Sequence, residues 1–181
     1  MGITRREEVP VIDTHIHVTN TMLPGSPLKA APDGTSFHGP LAARAESVRR
    51  AMDAAGIEHA LCMPQRSTGD DDPLGVSETL RLAELVPGRL HAIGIADPTR
   101  IDLQHLARVE ETLKRGKVVA LKAYLGYLHH GPDSPGYVPY YRLASKYKVP
   151  VIFHTGDTFS HLAKLKYAHP LLVDEVVVDH P

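Results

Sequence analysis

Short apolar runs alternate with amphipathic ones five times along the chain, and this rhythm limits the fold more than any other feature. The apolar runs at 10–17, 58–63, 90–95, 118–124 and 151–154 are rich in Val and Ile and bounded by Gly or Pro, as strands buried on both faces are. Helical patterns occupy 41–55, 76–86, 102–115, 139–147 and 170–178. In the first of these, Leu41, Ala45, Val48, Met52 and Ala55 share one face and Gly56 follows. In the third, Leu103, Leu106, Val109 and Leu113 do the same before Gly116. The last two open on a proline, which is preorganised for a first helical turn. Strand–helix alternation of this kind builds an α/β fold on a parallel sheet. A single domain, 1–181, is expected from the length.

Two segments interrupt the rhythm, 19–40 after the first strand and the Pro/Gly-rich LGYLHHGPDSPGYV at 125–138 after the fourth. Long loops in a compact domain tend to be functional, and both follow the strand end at which α/β folds carry their sites. Charge excludes other classes. Twenty basic residues against 21 acidic leave a net of −1, so neither nucleic acid nor an anionic membrane is an expected partner. The N-terminal MGITRREEVP has no apolar core of a signal peptide, and no apolar run approaches the roughly 20 residues of a membrane span. The lone Cys62 excludes an internal disulfide, and a cytoplasmic protein is expected. No G-x-G-x-x-G, P-loop or G-x-S-x-G is present, which disfavours nucleotide binding and serine-hydrolase chemistry.

Twelve histidines in 181 residues ask for an explanation. The first strand reads VIDTHIHV, and two-residue alternation puts Asp13, His15 and His17 on one side, Ile12, Thr14 and Ile16 on the other. Two imidazoles at the C-terminal end of an apolar strand can reach one cation, which resolves the repulsion of a protonated pair. In PVIFHTGDT, His154 closes the fifth strand at the same rim and is a candidate third ligand. Asp157 either touches substrate or caps the next turn. In KVVALKAYLGY, Lys122 shares a face with Ala120 and Tyr124. A buried lysine needs an ion pair, a metal-bridging carbamate or a substrate carboxylate. Tyr124 and Tyr127 either offer hydroxyls to substrate or pack the rim. Asp97 reads as a turn residue, His129 and His130 as loop residues, and His180 as the end of a helix. His38, His59, His91, His105, His161 and His169 have no spacing that selects them.

Together VIDTHIHV, ALKAYLGY and VIFHTGDT resemble the metal-dependent amidohydrolase superfamily, in its amidohydrolase-related branch of hydrolases and decarboxylases, from about Val9 onward. The resemblance implies a (β/α)8 TIM barrel with a divalent metal, most often zinc, at the C-terminal face. It matches His15 and His17 to the strand-one ligands, His154 to the strand-five ligand, and Lys122 to a position that some members carbamylate. Such members also carry a His on strand six and an Asp on strand eight. Here HPLLVDEVVVDHP reads as the helix before strand six, so about five of eight βα units are expected. That makes the chain a fragment, a shortened gene product, or one half of a barrel completed by another chain.

The expected function is therefore that of a metal-dependent hydrolase. Metal-activated water would attack an amide, ester or lactone-like bond of a small molecule, with Lys122 as the catalytic candidate and Tyr124, Tyr127 and Asp157 lining the substrate. A non-oxidative decarboxylase of an aromatic or unsaturated acid is the alternative, and a non-catalytic metal-binding or assembly fragment is a third. A homo-oligomer or a complementing C-terminal half-barrel is the expected protein partner, because five parallel strands leave two open edges.

Overall fold

The computed structural model describes residues 9–18, 39–64, 68–158 and 160–180. Among these, five strands pair in parallel in chain order: β1 (Ile12–Ile16), β2 (His59–Cys62), β3 (Leu90–Ala96), β4 (Val118–Ala123) and β5 (Val151–Phe153). The helices are α1 (Leu41–Ala55), α2 (Ser77–Leu85), α3 (Leu103–Lys114), α4 (Val138–Tyr147) and α5 (Leu172–Asp179), with a short 3₁₀ turn at Leu165–Tyr167. The expected alternation and its order are present. The largest boundary differences are two residues, at the starts of β1 and α5, where terminal positions fray. The inserted segment at 19–40 lies outside the described residues except for its last two.

Sequential parallel pairing requires crossover connections, and a constant right-handed crossover places every helix on the same side of the sheet. Two clusters fill that side. Ala45, Val48 and Met52 of α1 join Leu82 of α2 over Ala60, Cys62 and Leu90. Farther along, Val109 and Leu113 of α3 and Tyr140, Tyr141 and Ala144 of α4 cover Val118, Leu121 and Ala123. Each fully buried Val or Leu in these layers contributes about 1.5–3 kcal/mol. On the opposite, helix-free face the apolar content is a narrow belt, Met63, Ile93 and Ala120 with Leu61 and Ile152 beside them.

Local chemistry sets the ends of the elements. Gly56 ends α1 in the left-handed region at φ 66°, and the Ile57 N–H returns to the Met52 carbonyl at 2.9 Å. Asp102 caps α3 by accepting the His105 N–H at 2.9 Å. Gly136 permits a close approach. A Cβ there would lie 2.1 Å from the Pro98 carbonyl oxygen, so glycine is what lets the β4–α4 loop rest against the turn after β3. No helix among the described residues is long and apolar enough to cross a membrane.

The strict alternation expected for β1 does not survive along the whole strand. Asp13 is in register with Ala60, which faces the helices, and the register slips between Asp13 and Ile16. In a parallel pair, residues in register point the same way, so Asp13 leaves the side on which His15 and His17 meet.

Candidate active site at the C-terminal rim

The end of β1 is held from two directions. From β2, the Met63 N–H donates to the Ile16 carbonyl at 2.9 Å. From α1, the Arg44 guanidinium, only 1% exposed, donates to the Val18 carbonyl at 2.7 Å and pairs with Glu78 of α2. Arg44 thus ties the histidine-bearing strand end to two helices. In the sequence its signal is a charge four residues before Val48, at the border of the apolar stripe of α1.

On that anchored segment, His15 and His17 bring their Nε2 atoms to 3.1 Å, one ring donating to the other. The His15 N–H donates to the Asp13 carboxylate at 3.0 Å. Desolvation lowers the pKa of both rings, and the positive charge of Lys122 adds to it in each case. They are therefore held toward the neutral form, the one that ligates metals. Two neutral imidazole nitrogens at this spacing can each bond one cation at about 2.0–2.1 Å, so the β1 pair fits a divalent metal.

Lys122 of β4 is 2% exposed, and burial lowers its amine pKa to about 8. No carboxylate pairs with it among the described residues. Its Nζ lies 5.7 Å from the centre of the Tyr124 ring. Burial raises the Tyr124 phenol to about 12, which keeps it a proton donor. Tyr124 meets Tyr127 edge-on at 6.0 Å, and Tyr127 in turn meets the His154 ring edge-on at 4.9 Å. These two rings form a wall between β4 and β5.

His154 follows β5, with its N–H bonded to the Ala123 carbonyl at 2.9 Å. Desolvation is the main cause of its lowered pKa, and it shares the electrostatic field of Lys122 and His15. Its ring does not complete a cluster with the β1 pair. Nε2 donates to the Asp157 carbonyl at 3.0 Å, and no group of three His, Cys, Asp or Glu side chains among the described residues converges to hold a metal. The same bond places the lone pair on Nδ1, the tautomer a metal-ligating histidine adopts when a carbonyl accepts its other proton. Asp157 contributes that carbonyl, while its carboxylate accepts the Thr158 N–H at 2.8 Å and closes a local turn.

His129 and His130, the loop histidines after β4, have structural partners, and His38 lies outside the described residues. His129 Nε2 donates to the Leu162 carbonyl at 2.8 Å, and the Lys164 N–H reaches the Gly126 carbonyl at 3.1 Å, clasping the loops after β4 and β5 together. His130 pairs with Ser134 at 3.0 Å. His180 lies beside Tyr141, and Asp97 accepts from Thr68 and Thr99 in its turn.

A family model described as Amidohydrolase (Amidohydro_2) matches residues 12–181. The chain belongs to the amidohydrolase family. Three solved structures share its fold. A probable 2-pyrone-4,6-dicarboxylic acid hydrolase from Acinetobacter baumannii, with citric acid bound, is 18% identical with a TM-score of 0.53, over 81% of this chain and 50% of that one. A 4-oxalomesaconate hydratase from Rhodopseudomonas palustris is 16% identical with a TM-score of 0.53, over 80% and 52%. A mutant 5-carboxyvanillate decarboxylase from Novosphingobium aromaticivorans, with manganese and a nitrobenzoic acid bound, is 15% identical with a TM-score of 0.54, over 93% and 56%. No curated protein matches the chain. The chain thus spans about half the length of the structures it resembles. Its five parallel strands form a curled half-barrel, an α/β arrangement corresponding to part of a TIM barrel.

Proposed function

We propose that the chain carries the N-terminal part of a metal-dependent hydrolase site for a small carboxylate-bearing molecule. The observation that carries this reading is the Nε2–Nε2 approach of His15 and His17 beside the desolvated Lys122, at the rim where this fold places its chemistry. His15 and His17 would hold a divalent cation, most readily zinc, with His154 as a further ligand from β5. When bound, the cation supplies Lewis acidity toward a carbonyl oxygen and acidifies a water.

Everything else in the reading is the work of the chain's own side chains. Lys122 remains mostly protonated near neutral pH, and a substrate carboxylate would satisfy the buried ammonium, which pairs with no carboxylate among the described residues. That ion pair would fix which substrate bond faces the histidines. Tyr124 and Tyr127 would hold a planar substrate against their wall and keep water off the Lys122 amine. Asp157 would orient the His154 ring through its carbonyl, and its exposed carboxylate would line the entrance.

A decarboxylase is the second reading, favoured by the same lysine, because an acid anchored there presents its carboxylate to the site. Assays of the purified chain with zinc or manganese separate the readings. Metal-dependent cleavage of carboxylate-bearing esters or lactones without carbon dioxide supports the hydrolase, and carbon dioxide release from aromatic acids supports the decarboxylase. Metal binding with neither activity supports a non-catalytic role.

The edges bear on partners. β1 and β5 close the sheet, and Val9, Val11 and Ile12 along the first edge are 84%, 52% and 50% exposed. Unpaired strand edges of this kind recruit further strands. A second copy or a complementing C-terminal half-barrel would supply them, and the mass in solution distinguishes the two. The buried Cys62, in a chain with no disulfide, is consistent with a cytoplasmic location.

A further inference from the structure

The helix-free face of the sheet carries a second pair of imidazoles, at the end away from the rim. His59 opens β2, and His91 is the second residue of β3. In the β2–β3 register His91 lies beside Leu61, two residues beyond His59 on the same side of the strand. Both rings therefore project from the face that holds the apolar belt, just beyond its N-terminal edge. Ala60 and Leu90 point the other way, into the helix layer.

The two rings face each other. His91 Nε2 lies 3.2 Å from His59 Nδ1, with the ring centres 5.3 Å apart and tilted by 44°. Both residues are half-buried. A histidine kept for structure donates to a carbonyl or carboxylate that fixes its tautomer. Here, among the described residues, each ring has the other as its sole hydrogen-bond partner. One proton can sit between the two facing nitrogens, and without it two lone pairs point at the same spot. A cation bonded to both resolves that arrangement, and the spacing is within 0.1 Å of the 3.1 Å in the rim pair.

We propose that His59 and His91 form a second metal site at the N-terminal end of the sheet, separate from the rim. The ligand is a divalent transition ion that favours imidazole, such as zinc, nickel or cobalt, rather than magnesium or calcium, which take oxygen ligands. Two protein nitrogens leave the remaining positions to water. Among the described residues no lysine or tyrosine is paired with these rings, so the role assigned to the site is to pin β2 to β3 rather than to turn over substrate.

The test uses the full chain and Co²⁺ as a paramagnetic probe, read by imidazole NMR. One protein carries His15→Gln with His17→Gln, and its companion adds His59→Gln. The proposal expects Co²⁺ to broaden the His59 and His91 ring signals together in the first protein, and the bound equivalent to disappear in the second. Zinc should compete with Co²⁺ for the site, and a tenfold excess of magnesium should not. If Co²⁺ leaves the His59 and His91 signals sharp, or broadens other histidines instead, the proposal fails. Should the multiple variants not fold, the same titration of the unaltered chain decides. Broadening of His59 and His91 alongside the rim histidines supports the site, and broadening confined to His15, His17 and His154 overturns it. Neither outcome depends on any turnover at the rim.

Discussion

One face of the sheet holds two imidazole pairs at opposite ends, alike in ring spacing and tilt but different in how the chain brings them together. His15 and His17 are two residues apart on one strand, whereas His59 and His91 come from neighbouring strands. The first pair feels the charge of the desolvated Lys122, and His15 also that of His154, whose ring meets Tyr127 and through it Tyr124. On His91 of the second pair, among the described residues, burial and His59 are what lower the pKa, and no lysine takes part. Under the proposed readings each pair would hold a cation, and the surroundings would decide whether chemistry follows. In the proposed function a buried ammonium with no carboxylate partner among the described residues would draw a substrate anion, and the tyrosine rings beside it would limit water there.

The largest expected effect breaks the comparison if it is absent. If the proposed function holds, His15→Ala or His17→Ala lowers metal-dependent turnover by at least about a hundredfold, the upper cost seen when even an outer-shell partner of a metal ligand is lost. His59→Gln leaves turnover unchanged. Steady-state kinetics on a carboxylate-bearing ester, side by side, check both. Equal losses at the two ends would erase the distinction drawn between them.

Next in size is the anchor of the rim. Arg44→Ala removes one partner of a buried ion pair and the donor to the Val18 carbonyl, and is expected to cost about 3 kcal/mol in urea unfolding, the scale for breaking such pairs. It should also disturb the imidazole signals of His15 and His17 and leave those of His59 and His91 in place.

Lys122→Met sharpens the comparison from the other side. The amine's descent from 10.5 to about 8 penalises its charged form, and removing it should raise stability by up to about 3 kcal/mol at neutral pH. The same variant should abolish turnover of carboxylate-bearing substrates. Lost stability with normal kinetics would make Lys122 a structural residue.

The smallest effect comes from a histidine outside both pairs. His105 is fully buried, donates Nε2–H to the Tyr140 hydroxyl at 3.0 Å, and has its pKa lowered by desolvation first, with Arg100 and Arg108 adding to it and Asp102 and Asp97 opposing. A folded-state pKa below the unfolded 6.5 means the unfolded chain binds the proton first. The contribution of His105 to stability is then complete above pH 6.5 and is lost as pH falls from there toward the folded value. His105→Gln should flatten this fall by at most about 1.4 kcal/mol per pH unit, measured by denaturation between pH 5 and pH 8. A steeper fall in the variant would reverse the sign assigned here.

Much of the fold was legible because its signals are local. Val- and Ile-rich runs bounded by Gly or Pro located β2 through β5 to within about a residue, and Gly56 and Gly116 marked the ends of α1 and the α3 region by their need for positive φ. The face shared by His15 and His17 was legible for the same reason, since residues two apart on a strand point the same way. Asp13 was not, because the slip in the β1–β2 register moves it off that face. Arg44 escaped notice because a charge at the border of an apolar stripe resembles a solvated residue until Glu78 and the Val18 carbonyl are seen around it.

The sequence by itself determined the order of strands and helices, the apolar face of each, and which histidines close β1 and β5, because backbone periodicity and turn chemistry act over a few residues. Only the tertiary structure decided that Lys122 is buried, that the His154 ring turns to the Asp157 carbonyl, and that His59 meets His91. Each of these depends on the pairing register between strands or on how loops pack over them. Register is set by contacts between segments 30 or more residues apart, such as His59 and His91, and no local pattern along the chain contains that information.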